Sequence, residues 1–140
     1  MPRSGWDRTP GIQPPMDPEE VSPSELTQQQ RACIVSAVSA VVRRDVEAVR
    51  ELSYPPWRKH ADAFWTYADD YGDDGRLDLI MPPGEIDEWD TYILRLQDGL
   101  AVHVEMWAEG VGQTDLTLDM EVYINADGST RVELRDMHVM

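Results

Sequence analysis

The chain has 140 residues, of which 41 per cent are hydrophobic and 28 per cent are charged, a composition that fits one globular domain with its own core. Its formal net charge of −15 disfavours nucleic-acid and anionic-membrane partners, because both are bound through Lys and Arg. The sequence shows no apolar run near the roughly 20 residues that cross a bilayer, no secretory signal, and a single cysteine that cannot form an internal disulfide. We therefore expect a cytoplasmic protein.

The acidic residues are concentrated in one half of the chain. Residues 1–60 hold eight basic and eight acidic residues, whereas residues 61–140 hold four basic and 19 acidic residues. The second half therefore carries the whole net charge. A surface this acidic either keeps the protein soluble or presents a docking face to a basic partner, and the sequence leaves both interpretations open.

Residues 1–21 form a proline-rich N-terminal arm. They contain five prolines and few aliphatic residues, so they offer too little apolar surface to offset the entropy that ordering them would cost. We expect this arm to be disordered or loosely docked, and we expect residues 22–140 to form a single α+β domain.

Three helices are predicted ahead of the sheet. Ser22, with a glutamate three positions later, has the pattern of a capping box, and apolar residues then recur at helical spacing as far as Arg44. Asp45 is predicted to cap a short second helix, which ends before Pro55. A third helix is predicted over residues 60–71.

From Asp87 onward, apolar residues alternate with polar ones, the pattern of strands with one buried and one exposed face. The apolar positions of the four runs are Tyr92, Leu94 and Leu96; Val102, Val104 and Met106; Leu116, Leu118, Met120, Val122 and Ile124; and Val132 and Leu134. The sequence therefore predicts an α+β fold in which N-terminal helices pack on one face of a four-stranded antiparallel sheet made of two hairpins. Residues 77–80 are a candidate for a further, short edge strand.

The turns of the two hairpins predict the register of their strands. Residues 97–99 and 126–128 each form a three-residue turn that ends in glycine, which suits a type I turn followed by a left-handed residue. Residues 108–114 are expected to form the loop between the hairpins. The predicted pairs are Leu94 with Val102, Val122 with Val132, Met120 with Leu134, Asp119 with Arg135 and Tyr123 with Arg131.

Residues that could carry chemistry are few. His103, Glu105 and His138 are acceptable ligands for a transition metal, but nothing in the sequence places the last strand beside His103. The chain contains no phosphate-binding loop, nucleophile elbow or zinc motif, and its many carboxylates single out no general acid or base. We therefore predict no catalytic residue, no metal and no cofactor.

Aromatic and acidic residues share the predicted exposed face of the sheet. Trp107 and Tyr123 are large aromatics surrounded by acidic residues, an arrangement typical of an interaction surface; a covering arm or loop would account for them equally well. The candidate partner-binding residues are Glu105, Trp107, Asp119, Glu121, Tyr123 and Glu133.

Two segments of the acidic half contain short motifs that are typical of a domain family. These motifs are Trp107 followed by an acidic-glycine loop, the run Asp115-Leu116-Thr117-Leu118, and the run Asp136-Met137-His138-Val139. Through these motifs the chain resembles an uncharacterised bacterial domain family of unknown function. The resemblance covers roughly residues 60–140. The resemblance supports the predicted fold and implies neither an activity nor catalytic residues.

The leading hypothesis is an acidic protein-interaction module that docks a basic protein. One concrete form is a bacterial immunity or inhibitor protein that neutralises a cationic nuclease toxin, since electrostatic complementarity would speed the association. The alternative is a small-molecule-binding protein or enzyme with a pocket between the helices and the sheet. A third hypothesis is a structural or regulatory subunit that attaches through its arm.

Overall fold

The computed structural model describes residues 19–71 and 75–139, so most of the predicted arm, residues 1–18, lies outside the described part. Within it the α-helices are α1 (Gln28–Val42), α2 (Val46–Leu52) and α3 (Thr66–Asp69), and 3₁₀ segments span Pro23–Glu25, Pro55–Ala63 and Ile86–Glu88. The strands are β1 (Leu79–Ile80), β2 (Thr91–Arg95), β3 (Gly99–Ala108), β4 (Gly112–Ile124) and β5 (Thr130–Val139). The predicted α+β class, with helices ahead of an antiparallel sheet, is confirmed.

The first α-helix begins five residues later than the capping box of Ser22 predicts. Ser22 caps only the 3₁₀ segment Pro23–Glu25, after which Leu26 returns to an extended backbone with ψ 142°. A second capping box then starts α1, because Gln30 N donates to Thr27 Oγ1 at 3.1 Å and Thr27 N donates to Gln30 Oε1 at 2.9 Å. Two overlapping start signals in the sequence thus produce two separate turns.

The two later helices differ in how well they were predicted. Asp45 caps α2 as expected, accepting a hydrogen bond from Ala48 N at 3.1 Å. The single helix predicted over residues 60–71 is wrong: a 3₁₀ segment kinked at His60 (φ −108°, ψ 20°) leads into the one-turn helix α3. Ala61 and Trp65 are nevertheless buried, so the apolar spacing identified the core face correctly.

The sheet has five strands rather than four, and all its pairs are antiparallel. The order is β1-β3-β4-β5, and β2 also pairs with β3, so β1 and β2 share the edge of β3 that β4 leaves free. The candidate edge strand within residues 77–80 is therefore β1. Residues 19–21, assigned to the arm from their composition, pair with β2: Val21 N donates to Ile93 O, and Arg95 N donates to Glu19 O, both at 2.8 Å.

The register of the first hairpin was predicted wrongly, by one residue. Ile93 pairs with Val102, and Leu94 pairs with Ala101. Ile93 is 1 per cent exposed and Tyr92 is 50 per cent exposed, so the buried face of β2 is the opposite of the one that the alternation suggested.

Glycine at position 99 has a different role from the one that its turn pattern predicts. Leu96 N donates to the Gly99 carbonyl at 2.8 Å, so the turn contains only residues 97–98, and Gly99 is not among the left-handed residues. Instead, an added Cβ at Gly99 would lie 2.1 Å from the carbonyl oxygen of Val122. Glycine is needed there because β4 approaches the backbone of β3 closely.

The register of the second hairpin is confirmed as far as Met120. Val122 pairs with Val132, Met120 with Leu134 and Tyr123 with Arg131. The predicted pair of Asp119 with Arg135 is wrong, because a β-bulge at this point makes Asp119 the partner of Asp136. The extra residue in β5 changes the face of the sheet on which each of the following side chains lies.

The connection between the hairpins is shorter than predicted. β3 continues to Ala108 and β4 begins at Gly112, so the loop is residues 109–111 rather than 108–114. A second irregularity in the ladder follows, between the pairs Trp107–Gln113 and Glu105–Thr117. Thr114 stabilises it, donating to Met106 O at 2.8 Å and accepting from Leu116 N at 3.0 Å.

A single apolar core lies between the helical layer and one face of the sheet. From the strands it contains Ile93, Val102, Val104, Met106, Leu116, Leu118, Met120, Leu134 and Met137, and from α1 it contains Ile34, Ala37, Val38 and Val41. Because side chains alternate along a strand, the intervening residues of β3, β4 and β5 lie on the other face, which we call the open face. None of the helices in residues 19–71 and 75–139 has the length and apolar character needed to span a membrane.

Candidate functional site

All six predicted partner-binding residues lie on the open face, and each is half-buried. They are Glu105 and Trp107 on β3, Asp119, Glu121 and Tyr123 on β4, and Glu133 on β5. Their contacts divide them into three neighbouring groups that differ in charge balance.

The first group is a network in which two arginines neutralise the acidic residues. Arg135 Nη2 donates to Glu121 Oε1 at 2.9 Å and to Glu133 Oε1 at 3.1 Å, and Arg131 pairs with Glu133 while lying 4.5 Å from the centre of the Tyr123 ring. The Tyr123 hydroxyl donates to Glu121, and this hydrogen bond raises the pKa of Tyr123. Glu121 and Glu133 are therefore satisfied within the chain and are weaker candidates for a partner than the sequence suggested.

The second group places Asp119 between two histidines. Its Oδ1 lies 2.6 Å from Nδ1 of His103, and its Oδ2 lies 2.8 Å from Nε2 of His138. The cluster forms because β4 is the strand between β3 and β5, and because the bulge at Arg135 shifts the end of β5 into place. The hydrogen bond to Asp119 raises the pKa of His138.

Within this His–Asp–His cluster, the carboxylate of Asp119 stabilises the protonated form of His138 through their hydrogen bond. Both oxygens of Asp119 are engaged by imidazole nitrogens. Across the described ranges, no group of three His, Cys, Asp or Glu residues is placed to hold a metal ion. The raised pKa of His138 makes the charge of this part of the open face depend on pH.

The third group consists of Glu105 and the acidic residues near it. The half-buried side chain of Trp107 lies next to Glu105 on β3. Burial is the main cause that raises the pKa of Glu105, and a hydrogen bond donated by Thr117 at 3.2 Å opposes it. Three further carboxylates also raise it, those of Asp90, Asp115 and Asp119. Sequence reasoning missed the first two of these, because Asp90 precedes β2 and Asp115 lies in the irregular part of β4, where alternation no longer predicts the face.

Replacing Glu105 with glutamine is expected to stabilise the fold by about 0.5 kcal/mol at pH 7. A raised carboxyl pKa means that ionisation costs more in the folded state than in the unfolded state, so the penalty is absent at low pH and present above the folded pKa. Urea unfolding at pH 7 and pH 4.5 measures it. A glutamine variant that is less stable than the parent at pH 7 would show that the ionised carboxylate is well accommodated.

The fold and the site define a class: an α+β domain whose helices cover one face of an antiparallel sheet and whose other face carries half-buried acidic and aromatic residues. The chain belongs to the family described as Domain of unknown function (DUF7668), whose model matches residues 38–140. The match begins within α1 and includes α2 and the whole sheet, in agreement with the resemblance to an uncharacterised domain family. Comparison with curated proteins and comparison with solved structures find no match.

Proposed function

We propose that the protein is a cytoplasmic interaction module that docks a basic protein on the open face of its sheet. The observation that carries this proposal is the half-buried position of Glu105 on the open face, next to Trp107 on β3. Burial raises the pKa of the Glu105 carboxyl, and the carboxylates of Asp90, Asp115 and Asp119 add to this rise. A Lys or Arg side chain from a partner would pair with these carboxylates and favour the ionised form of Glu105.

Trp107 supports the same location for the interface. Its ring is half-buried beside Glu105 on β3, and aromatic residues within a charged surround are common energetic centres of protein interfaces. The net charge of −15 adds long-range attraction for a basic partner and repulsion for nucleic acid and anionic membrane.

A concrete form of this function is a bacterial immunity or inhibitor protein that neutralises a cationic nuclease. A nuclease binds nucleic acid through Lys and Arg residues, and an acidic face that occupies those residues would compete with the substrate. Association would be fast at low ionic strength and slower as salt screens the charges.

The alternative, a small molecule bound beside the histidines between helices and sheet, has less support. His103 and His138 both contact Asp119 on the open face, whereas the helices pack against the opposite face through the apolar core. A pocket between the two layers would therefore not be lined by these histidines.

The proposal is tested by replacing Glu105 with lysine. The full chain is used to capture proteins from lysate of its native host at low and high salt, and the captured basic protein is purified for calorimetry. Glu105→Lys is expected to weaken its binding by at least about tenfold, or 1.4 kcal/mol. Glu121 is a poorer choice, because its carboxylate also holds Arg135 and Tyr123.

The matched control is Asp98→Lys, which changes the net charge equally at the exposed turn between β2 and β3, away from this group. Its binding should stay within about threefold of the parent at moderate salt. Equal weakening by both variants would show that total charge, and not the open face, governs binding, and the proposed docking site would then be rejected.

A further inference from the structure

A cavity of about 430 Å³ lies at the outer edge of β5, next to the first of the three groups, with which it shares Arg135. It is lined by the 3₁₀ segment Pro55–Ala63, by residues of and next to α3, and by residues 134–137 of β5. Three aromatic side chains contribute to its walls, Trp57, Phe64 and Tyr67. Trp57 is 46 per cent exposed and Tyr67 is 51 per cent exposed, so both rings offer apolar surface that a ligand in the cavity would cover.

The bulge in β5 brings an acidic residue to the cavity wall. Asp136 follows the extra residue of the bulge, is exposed, and lines the same cavity as the aromatic rings. Its Oδ1 accepts a hydrogen bond from Met137 N at 2.9 Å, and within the described part of the chain its Oδ2 has no such bond to the backbone. Arg135 also lines it, but its guanidinium is already paired with Glu121 and Glu133. Among the ion pairs of residues 19–71 and 75–139, none includes Asp136.

Contacts elsewhere in the chain point to the kind of ligand that suits this combination of groups. Three arginines of the chain each contact one aromatic ring and at least one carboxylate. They are Arg44 with Trp65 at 5.8 Å and Asp69 at 2.7 Å, Arg131 with Tyr123 at 4.5 Å and Glu133, and Arg135 with Tyr54 at 3.9 Å and Glu121 at 2.9 Å. The cavity offers the same two kinds of group on its walls.

We propose that this cavity binds the side chain of an arginine, with its guanidinium against Trp57 and Tyr67 and paired with the carboxylate of Asp136. A planar guanidinium stacks on aromatic faces and meets a carboxylate through two parallel hydrogen bonds, which an ammonium group does not do. The identity of the natural occupant, an arginine of the basic partner, rests on the proposed function; the site itself does not.

The experiment uses a small probe on the full chain, so that it is independent of any protein partner. N-acetyl-L-arginine amide is titrated at pH 7.5 with the ionic strength held constant. The resonance of the Trp57 indole N–H, assigned with a Trp57→Phe variant, reports binding. A saturable shift is expected, with a dissociation constant in the millimolar range typical of a single side chain.

N-acetyl-L-citrulline amide is the matched neutral probe, since it has the same shape and no charge. It is expected to bind at least about tenfold more weakly, and Asp136→Asn is expected to weaken binding of the arginine probe at least about fivefold. Because Tyr67 is half exposed, Tyr67→Ala serves as a second variant that should fold, and it too should weaken binding. Equal binding of the two probes, or unchanged binding by both variants, would overturn the site.

The failure of this site is distinguishable from the failure of the proposed function. Glu105→Gln removes charge on the open face and should leave binding of the arginine probe unchanged. If the arginine probe binds in the cavity while Glu105→Lys leaves partner binding intact, the cavity stands and the open face does not. If partner binding depends on Glu105 while the probe gives no saturable shift, the open face stands and the cavity does not.

Discussion

Replacing Gly99 with alanine is expected to lower the free energy of unfolding by about 3 kcal/mol. The added Cβ would lie 2.1 Å from the carbonyl oxygen of Val122 and 3.0 Å from its carbonyl carbon. Both atoms belong to the backbone of β4, so no side-chain rotation can relieve the overlap. The start of β3 would have to separate from β4, and the hydrogen bonds of that end of the ladder would be strained.

Urea unfolding followed by far-ultraviolet circular dichroism measures this effect, and Gly128→Ala is the matched control. Gly128 has φ 89°, and an added Cβ there would meet nothing within 4 Å, so its substitution carries only the conformational cost of a left-handed residue, about 1 kcal/mol. If Gly99→Ala costs no more than Gly128→Ala, the close approach of β4 is not what requires glycine at position 99.

These two glycines show how far the sequence can predict the sheet. Each follows an aspartate at the end of an alternating run, and the same turn was predicted for both. Gly128 adopts the left-handed conformation, whereas Gly99 does not. The difference is caused by contact with β4, a strand distant in sequence, so a local pattern could predict the existence of both hairpins but the register of only one.

The helices show the same limit in a different form. Burial of Ala61 and Trp65 followed from their spacing, but residues 55–63 form a 3₁₀ segment with a kink at His60, and only residues 66–69 form an α-helix. Composition and spacing thus identify which residues are buried more reliably than they identify the type of helix.

The candidate site was predicted as a face but not as a set of contacts. Alternation from Met106, Met120 and Leu134 places all six candidate residues on the open face, and the structure agrees. The bulge at Arg135 has no local signal in the sequence, yet it decides that Arg135 reaches Glu121 and that His138 reaches Asp119. For this reason the sequence could not show which carboxylates are neutralised within the chain.

Replacing Asp119 with alanine is expected to lower the free energy of unfolding by about 2 kcal/mol at pH 6 and by about 1 kcal/mol at pH 8.5. The carboxylate accepts hydrogen bonds from His103 at 2.6 Å and from His138 at 2.8 Å, and hydrogen bonds to charged groups are the stronger kind. Its loss would leave two half-buried imidazoles without their acceptor. The removal of like charge beside Glu105 offsets a small part of this loss.

The pH dependence follows from the raised pKa of His138, whose main cause is the hydrogen bond to Asp119. A histidine whose pKa is higher in the folded state stabilises the fold fully below its ordinary value of 6.5, and this contribution disappears as the pH rises through the folded pKa. The difference between the parent and Asp119→Ala should therefore be largest below pH 6.5 and should shrink toward alkaline pH.

Urea unfolding at several pH values from 5.5 to 8.5 measures this difference, and Asp115→Ala is the control. Asp115 lies on the same strand and is exposed, and its backbone N–H donates to the Tyr71 hydroxyl at 3.2 Å. Alanine there therefore removes the same charge and keeps that hydrogen bond. Its effect should be below about 0.5 kcal/mol and should change little with pH. A difference for Asp119→Ala that stays constant over this range would mean that the carboxylate positions the two imidazoles without stabilising a proton, and the pH-dependent charge assigned to the open face would have to be withdrawn.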